Sequence, residues 1–363
     1  MAKRVGVDKW LFGTVLLLVL FGLVMVFSAS AILAKETLGS PYAYVGRQAL
    51  WALLGLLVMV GLMQVDYRRY NNPKIVFPAA GITMLLLMGV FAMSGMNGAH
   101  RWIRLAGTTL QPSELAKPVI VLFLAYFLQT RIHKMDDWKD TLLPAIAFPV
   151  LFSALIMKEP DLGTAMVCMS VTALMLYLAG ARIRYFAIAA VVVSPVMYYM
   201  LFHVAFRRAR MLAFVNPEAD PRGTGFHILQ SLIAVGTGGF HGLGLMEGRQ
   251  KLFYLPEVQT DFIFANVCEE LGLIGALIVV ALFVALGYRG LRAAFLSTDP
   301  FARFLAFGIT TAVLIQAFFN MSVVLALLPT KGIPLPFISS GGTSVFITLA
   351  SMGVLLNVTR EID

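Results

Sequence analysis

Long apolar runs are the feature that most constrains how this chain can fold. A helix needs about 20 apolar residues to cross a bilayer. About ten segments reach or approach that length, at 10–34, 44–65, 75–94, 112–130, 142–157, 163–180, 184–205, 262–287, 301–327 and 342–358. Only 13% of the residues are charged, whereas a soluble domain carries about a quarter. The sequence therefore predicts an all-α polytopic membrane protein with about ten transmembrane helices, formed by one domain over 1–363.

The basic residues predict how these helices are oriented. Lys3, Arg4 and Lys9 precede a first apolar run that is longer than the roughly 7–15 residues of a cleaved signal peptide. We expect this run to be retained as the first span, with both chain termini in the cytoplasm. Each cytoplasmic loop then carries at least two Lys or Arg residues, as the positive-inside rule requires. The net charge of +9 thus reflects membrane orientation, and no nucleic-acid partner is expected.

Several basic residues oppose this rule. Arg101, Arg104, Lys158 and Lys331 fall in short loops on the predicted outer side, where excess cations are not expected. An anionic ligand at that face would account for them. Cys168 and Cys268 lie in apolar runs and have neither the spacing of a metal site nor that of a disulfide framework. The sequence has no HExxH pair, which argues against a zinc hydrolase.

One long outer loop, at about 206–261, separates the seventh span from the eighth. Loops of this length are usually functional or disordered, and the aromatic and aliphatic content here argues against disorder. An amphipathic helix is predicted at 226–235. The glycine-rich run at 236–244 lacks the GK[ST] of a nucleotide P-loop, so it is interpreted as a tight structural turn.

Charged residues crowd the end of this loop and the start of the eighth span. Asp261 would either cap the helix or serve in chemistry with the neighbouring Lys251 and Glu257. Glu269 and Glu270 lie inside the apolar span, where carboxylates are costly and are functional candidates by default.

Three other polar segments adjoin predicted outer helix ends. Glu114 and Lys117 are spaced i,i+3, so they either form a self-contained ion pair or line a polar cavity. Asp161, in the turn after Glu159, would cap the sixth span. The proline-rich segment at 328–344 precedes the last span, and irregular backbone at membrane depth is tolerated only against protein or a cavity.

Together these segments resemble the SEDS proteins (shape, elongation, division, sporulation). The resemblance covers nearly the whole chain. It rests on the region from Gly98 to Lys117 and on the segments EPDLGT, QSL with GGFHGLG, LPEVQTDFIF, EELG and SSGGTS. The segment TKG at 330–332 is similar to the division branch of the family rather than the elongation branch. Gln259, Ser340 and the pair Met246-Glu247 depart from the usual pattern, which affects the expected shape of the groove but removes no carboxylate.

The resemblance implies a peptidoglycan glycosyltransferase that polymerises lipid II. Asp261 matches the essential loop aspartate of the family and would act as general base, while outer-face cations stabilise the departing undecaprenyl pyrophosphate. With an ordinary pKa near 3.9, Asp261 would be ionised at neutral pH. A divalent cation held by Glu159, Asp161 or Glu257 is left open. The substrate-binding residues expected are Arg101, Glu114, Lys117, Glu159, Asp161, Lys251, Glu257, Thr260, Lys331, Ser339 and Ser340.

The resemblance also implies partners and a location. They are lipid II, undecaprenyl pyrophosphate, membrane lipids, a class B penicillin-binding protein (the transpeptidase) and other division proteins, at the septum of a bacterial cytoplasmic membrane. Two other functions are weighed against this one, a lipid II flippase and a scaffold without chemistry. A transporter should carry its essential charges near the midplane and often shows repeated halves, and neither feature is apparent.

Overall fold

A computed structural model of the chain describes residues 6–93, 101–105, 108–252 and 254–361. Each of the ten predicted spans is a helix there, so the prediction of a polytopic helical fold is confirmed. Two further helices, α8 and α9, lie in the long loop. The helices are α1 (Lys9–Leu38), α2 (Ala43–Leu62), α3 (Pro73–Gly89), α4 (Pro112–Leu128), α5 (Leu143–Lys158), α6 (Leu162–Leu178), α7 (Ile183–Phe202), α8 (Ala205–Val215), α9 (Phe226–Gly238), α10 (Ile263–Leu296), α11 (Pro300–Val324) and α12 (Gly342–Thr359).

By length and composition, seven helical segments among the described residues could each cross a membrane. They correspond to α1, α2, α3, α5, α10, α11 and α12. Two of them, α3 and α5, are extended by a short adjoining helical turn. The α6 and α7 helices are shorter apolar helices. The α4 helix has 17 residues and carries Glu114 and Lys117, which lower its apolar character.

Small residues bring the helices close together. The α2 and α12 helices pack so tightly that a Cβ added at Gly353 would lie 2.6 Å from the carbonyl oxygen of Met59. A Cβ at Gly22 of α1 would lie 2.4 Å from the carbonyl oxygen of Phe337, in the proline-rich segment. Close backbone approach at small residues is the usual packing mode of membrane helices. It seats the proline-rich segment inside the bundle.

Polar contacts fasten the two chain ends at one end of the bundle, which we call the terminal end. Asp8 caps α1 through its carboxylate and pairs with Arg289 of α10 at 2.6 Å. The Asp8 backbone N–H donates to Thr359 at the end of α12. The opposite end, where α1 finishes and α2, α10 and α12 begin, carries the long loop and is called the loop end.

The α10 helix is broken at Gly272, which adopts φ +65°. The glycine-rich turn that follows α9 fills the break. Leu243 and Gly244 donate backbone hydrogen bonds to the carbonyls of Glu269 and Glu270, both at 3.0 Å. In the other direction the Leu273 N–H donates to the Gly239 carbonyl at 2.9 Å. The predicted tight turn is thus a structural part of the bundle, and its backbone groups are satisfied as membrane depth demands.

Two elements were not expected from the sequence. The α8 helix follows α7 directly at residue 205, where the long loop was predicted to begin, although the predicted helix at 226–235 is present as α9. A two-stranded antiparallel hairpin, β1 (Ile103–Leu105) with β2 (Thr108–Leu110), precedes α4. It is too short to change the helical fold class, but it places Arg101 and Trp102 beside the loop end.

Candidate active site at the loop end

Two cavities open at the loop end and share one wall. The smaller chamber, about 200 Å³, is lined on that wall by Glu257, Asp261 and Gly332, and elsewhere by Arg101, Trp102, Gln111, Asp161, Thr164, Thr260, Pro334, Ser340, Gly341, Thr343 and Ser344. The larger chamber, about 400 Å³, has the same three residues together with Ala209, Arg210, Asp220, Gly223, Thr224, His227, Phe262, Thr330 and Lys331. Asp261 therefore lies where two ligands could meet.

The backbone holds Asp261 in place while its side chain lines the chambers. Asn320 of α11 donates from its side-chain amide to the Asp261 carbonyl at 2.8 Å and to the Ile333 carbonyl at 2.7 Å. The α10 helix begins after Phe262 and has no side-chain cap, so the interpretation of Asp261 as a helix cap is wrong. Gly332 allows close contact, because a Cβ there would lie 2.7 Å from Asp261 Oδ2.

The electrostatic surroundings of Asp261 also differ from the expectation. Burial, reinforced by the nearby Glu257 and Asp161 carboxylates, raises the pKa of Asp261 to about 7, although Arg101 and Arg210 act in the opposite direction. The expectation of an ordinary pKa does not hold, and Asp261 is not a lone acid among cations. A pKa near neutrality is the value that suits a general base working at that pH.

Arg101 and Asp161 build one side of the smaller chamber. The Asp161 carboxylate caps α6, accepting from the Thr164 N–H at 3.0 Å and from the Thr164 hydroxyl at 2.8 Å, so the predicted cap is confirmed. The Arg101 guanidinium donates to the carbonyls of Glu159 and Pro160, at 2.9 and 2.5 Å. Arg101 thus fixes the turn that presents Asp161 while also lining the chamber.

Glu159 is placed differently from the expectation of a ligand-facing residue. It is fully buried, lines neither chamber, and neither carboxylate oxygen has a hydrogen-bond partner among the described residues. Burial and the neighbouring Asp161 raise the pKa of Glu159 to about 8, against the influence of Arg101. The neutral acid is therefore the favoured form of this side chain at neutral pH.

Lys331 supplies a cation to the larger chamber. Its ammonium lies 2.6 Å from Met166 Sδ, a weak acceptor, and no carboxylate among the described residues lies within ion-pair distance of it. Burial, with repulsion from Arg207 and Arg210, lowers the pKa of Lys331 to about 8. An anion in this chamber would satisfy a charge that the protein leaves poorly compensated.

Hydrogen bonds join the segment before α10 to the segment before α12, next to the chambers. The buried Ser339 hydroxyl donates to the Thr260 carbonyl at 2.5 Å and accepts from the Leu335 N–H, so Ser339 is placed as a brace. Ser340 lines the smaller chamber and donates from its backbone to the Gln259 carbonyl. Glu257 accepts from the Thr260 hydroxyl and has φ +55°, a strained conformation of the kind that clusters at functional sites.

Glu114 and Lys117 form the predicted ion pair, at 2.8 Å, and both are buried. The Lys117 ammonium also contacts the Gln316 side-chain oxygen at 2.5 Å, and Gln316 donates to the Pro334 carbonyl. Neither residue of the pair lines the two chambers. Lys117 instead borders a separate cavity of about 30 Å³ between α4, α11 and α12. The pair is thus connected through Gln316 to the proline-rich segment.

Lys251 is likewise placed in a buried ion pair. Its ammonium lies 2.6 Å from Glu270 Oε1, with both side chains almost fully buried. The Ser28 hydroxyl of α1 contacts both Glu270 oxygens, and the Met246 N–H donates to Oε2. Glu269 accepts backbone hydrogen bonds from Arg249 and Gln250. These intramembrane acids therefore anchor the loop rather than face either chamber.

Several residues that line or support the chambers were not predicted from the sequence. His227 and Arg210 line the larger chamber, and Asn320 holds the Asp261 backbone. His227 and Arg210 lie in the long loop, where no spacing rule relates them to Asp261, and Asn320 lies inside an apolar run, in the last two turns of α11. The intrahelical polar residue Asn320 was the available signal, because such residues usually bridge helices.

The described residues do not by themselves form a metal site. Within the described ranges, no group of three or more His, Cys, Asp and Glu side chains is arranged to hold a metal ion. A divalent cation held by Glu159, Asp161 or Glu257 stays a prediction.

Comparisons with known proteins extend over nearly the whole chain. The family described as "Cell cycle protein", FTSW_RODA_SPOVE, matches residues 8–363. A probable peptidoglycan glycosyltransferase FtsW of Geobacter metallireducens is 44% identical over 94% of this chain and 91% of that protein. Stage V sporulation protein E of Bacillus subtilis is 39% identical over 99% of this chain and 98% of that protein.

Solved structures share the fold. A chain from "Structural coordination of polymerization and crosslinking by a peptidoglycan synthase complex" superposes with TM-score 0.77 and 26% identity, covering 98% of this chain and 99% of that one. The rod shape determining protein RodA of Thermus thermophilus superposes with TM-score 0.69 and 25% identity, over 98% of this chain and 97% of that one. The chain therefore belongs to the SEDS family, the FtsW/RodA/SpoVE proteins.

Proposed function

We propose that this protein is a peptidoglycan glycosyltransferase that joins lipid II molecules into glycan strands, with Asp261 as the general base. The observation that carries the proposal is the position of Asp261 in the wall shared by two chambers. A polymerase must hold a donor and an acceptor at once, and one acid between two binding spaces meets that requirement. The names of the FtsW relatives support the same activity.

The reaction needs one proton transfer and one displacement. Asp261 accepts the proton of the acceptor's sugar 4-hydroxyl as that oxygen attacks the anomeric carbon of the donor. The bond from the anomeric carbon to the pyrophosphate oxygen breaks, and undecaprenyl pyrophosphate leaves with the electron pair. A positioned base typically contributes about 10²–10⁴ in rate. The pKa of about 7 keeps a useful fraction of Asp261 ionised while making it a stronger base than an ordinary aspartate.

The distribution of cations suggests how the leaving group is stabilised. Lys331 and Arg210 line the larger chamber, and Arg101 lines the smaller one. Cations held in place before the reaction stabilise charge that develops in the transition state without reorganisation. We assign the pyrophosphate to the larger chamber, because Lys331 there lacks an ion-pair partner among the described carboxylates.

We further propose that the loop end faces the outside of the cytoplasmic membrane and that the enzyme acts at the division septum. The basic residues of the opposite end support this orientation through the positive-inside rule. The FtsW relatives support a septal role, and the similarity to a sporulation protein supports sporulation as the alternative role. A class B penicillin-binding protein is the proposed partner, supported by the similarity to a chain of a peptidoglycan synthase complex.

Polymerisation of purified lipid II by the reconstituted protein tests the activity. The wild-type protein is expected to produce glycan strands. Asp261→Ala is expected to reduce the polymerisation rate by a factor of about 10²–10⁴. Thermal unfolding in the same detergent should stay close to that of the wild type, because the Asp261 side chain lines cavities and caps no helix.

The outcomes separate the three functions considered. A flippase would move fluorescent lipid II across vesicle membranes without polymerising it, and a scaffold would do neither. Full polymerisation by Asp261→Ala would contradict the assignment of the base while leaving the enzyme activity established.

A further inference from the structure

His227 is the one imidazole among the residues that line the larger chamber. It belongs to α9, the helix of the long loop that packs beside the start of α10. Its ring stacks on Phe262, the neighbour of Asp261, with 5.9 Å between ring centroids and an interplanar angle of 16°. The contact places an imidazole against the residue next to the proposed base.

The polar atoms of this ring are not used by the fold. Nδ1 is buried and has no hydrogen-bond partner among the described residues. A buried polar atom without a partner is destabilising, so a purely structural ring at this position would be better served by phenylalanine. Stacking holds the ring. Nε2 is not among the buried atoms and makes no hydrogen bond with a described residue, so it is the nitrogen that a ligand in the chamber can reach.

The surroundings indicate which ligand that is. Burial, followed by repulsion from Arg210, lowers the pKa of His227, so the ring is neutral at neutral pH and keeps one N–H donor and one acceptor. Lys331 and Arg210 line the same chamber. Its carboxylates are Asp220, which accepts from the Thr224 N–H and hydroxyl, and Glu257 and Asp261 on the wall shared with the smaller chamber. An N–H donor beside two cations forms a binding site for a phosphate-type oxygen, which has acceptors and no donors.

We propose that His227 is a substrate-positioning residue that donates a hydrogen bond to an anionic oxygen of the lipid-linked ligand in the larger chamber. This inference rests on the proposed function and adds to it a residue that orients the pyrophosphate. Asp261 performs the proton transfer, and His227 takes no part in that step. Its contribution is therefore expected in binding rather than in turnover.

The test compares three variants of the full-length reconstituted protein in the lipid II polymerisation assay. His227→Phe keeps a flat ring on Phe262 and removes both nitrogen atoms, whereas His227→Gln keeps a neutral donor and removes the ring. His241→Phe, at an exposed position of the same loop that lines neither chamber, controls for replacing a loop histidine by phenylalanine.

We expect His227→Phe to raise KM for lipid II roughly tenfold or more, because a hydrogen bond to a charged group is involved, with kcat changed less than about threefold. His227→Gln should recover most of the affinity, and His241→Phe should match the wild type. Inhibition by added undecaprenyl pyrophosphate should weaken in parallel in His227→Phe.

Each alternative result has a clear meaning. Wild-type kinetics in His227→Phe, with unchanged thermal unfolding, would show that the ring serves only to stack on Phe262 and would overturn the inference. A drop in kcat alone would also overturn it, because that pattern belongs to the chemical step. Absence of polymerisation by the wild type would instead refute the proposed function, so the two failures are distinguishable.

Discussion

Two lysines near α10, Lys331 and Lys251, have opposite surroundings. Lys331 lines the larger chamber, contacts a methionine sulfur, and has no carboxylate at ion-pair distance among the described residues. Lys251 is almost fully buried against Glu270, whose oxygens also accept from Ser28 and from the Met246 backbone. A lysine that is fully paired inside the protein stabilises the fold, whereas a lysine left beside a cavity is available to a ligand.

The same contrast applies to the acids. Glu270 is buried in a network in which both oxygens are used. Asp261 is only half-buried and lies in the shared wall of the chambers. The intramembrane position made Glu269 and Glu270 functional candidates by default, yet their partners are the backbone and side chains of the loop. Partners, more than depth in the membrane, distinguish the two kinds of acid.

The largest effect expected from this comparison is the loss of stability in Lys251→Met. The substitution leaves the Glu270 carboxylate buried without its cation, and breaking a buried pair in this way costs about 3–5 kcal/mol. Thermal unfolding in detergent should show the loss. The double variant Lys251→Met/Glu270→Met should recover much of it, because apolar replacement of a whole buried pair is often neutral.

Lys331→Met is the matched control for that experiment. It removes a cation from a chamber rather than from a buried pair, so polymerisation should fall by about 10²-fold while thermal unfolding stays near that of the wild type. Equal destabilisation by the two substitutions would contradict the distinction drawn between the two lysines.

Gly332→Ala tests whether the shared wall depends on close contact. A Cβ at this position would lie 2.7 Å from Asp261 Oδ2, so the carboxylate must move by several tenths of an ångström. Misplacement of a reacting group by 1 Å can cost about 10²-fold, and we expect a loss of roughly 10- to 100-fold in turnover with little change in stability. Gly236→Ala on α9, where an added Cβ meets nothing within 4 Å, is the control. Normal activity in Gly332→Ala would show that Asp261 does not need its present position.

The smallest effect expected is the pH dependence of kcat/KM. The base must be deprotonated, so the rate should rise as pH increases through the Asp261 pKa of about 7. The cation must be protonated, so the rate should fall above the Lys331 pKa of about 8. The profile should peak between these values and fall about sixfold from its maximum by pH 6. In Lys331→Met the alkaline limb should disappear and the acidic limb should remain. An acidic limb near pH 4 would contradict the raised pKa of Asp261.

The sequence was sufficient to predict the helical scaffold. Apolar length alone located all ten predicted spans, because a bilayer sets the minimum length of a spanning helix. The proposed catalytic position also came from sequence, since Asp261 was carried by the resemblance and the structure places it in the wall of both chambers. The capping role of Asp161 and the Glu114–Lys117 pair followed from local spacing, which the structure preserves.

Properties that depend on contacts between distant segments could not be predicted. Whether Lys251 or Lys331 faces a cavity depends on where Glu270 lies relative to the loop, and no local spacing rule gives that. The raised pKa of Asp261 requires knowledge of its burial and of the distant Asp161. The candidacy of His227 depends on the packing of α9 against the start of α10, which stacks the His227 ring on Phe262. The ligand-facing surface is thus a property of the folded chain rather than of any single motif.

The break in α10 has a consequence for how the loop could be followed in solution. The Leu273 and Ile274 N–H groups, in the middle of a long helix, donate to the Gly239 and Phe240 carbonyls of the loop at 2.9 and 3.3 Å. Their protection from deuterium exchange therefore depends on the loop staying seated, unlike that of amides bonded only within the helix. These two amides would report on the position of the loop. Its detachment would expose them to exchange, while the amides of α10 beyond residue 276 would stay protected by bonds within the helix.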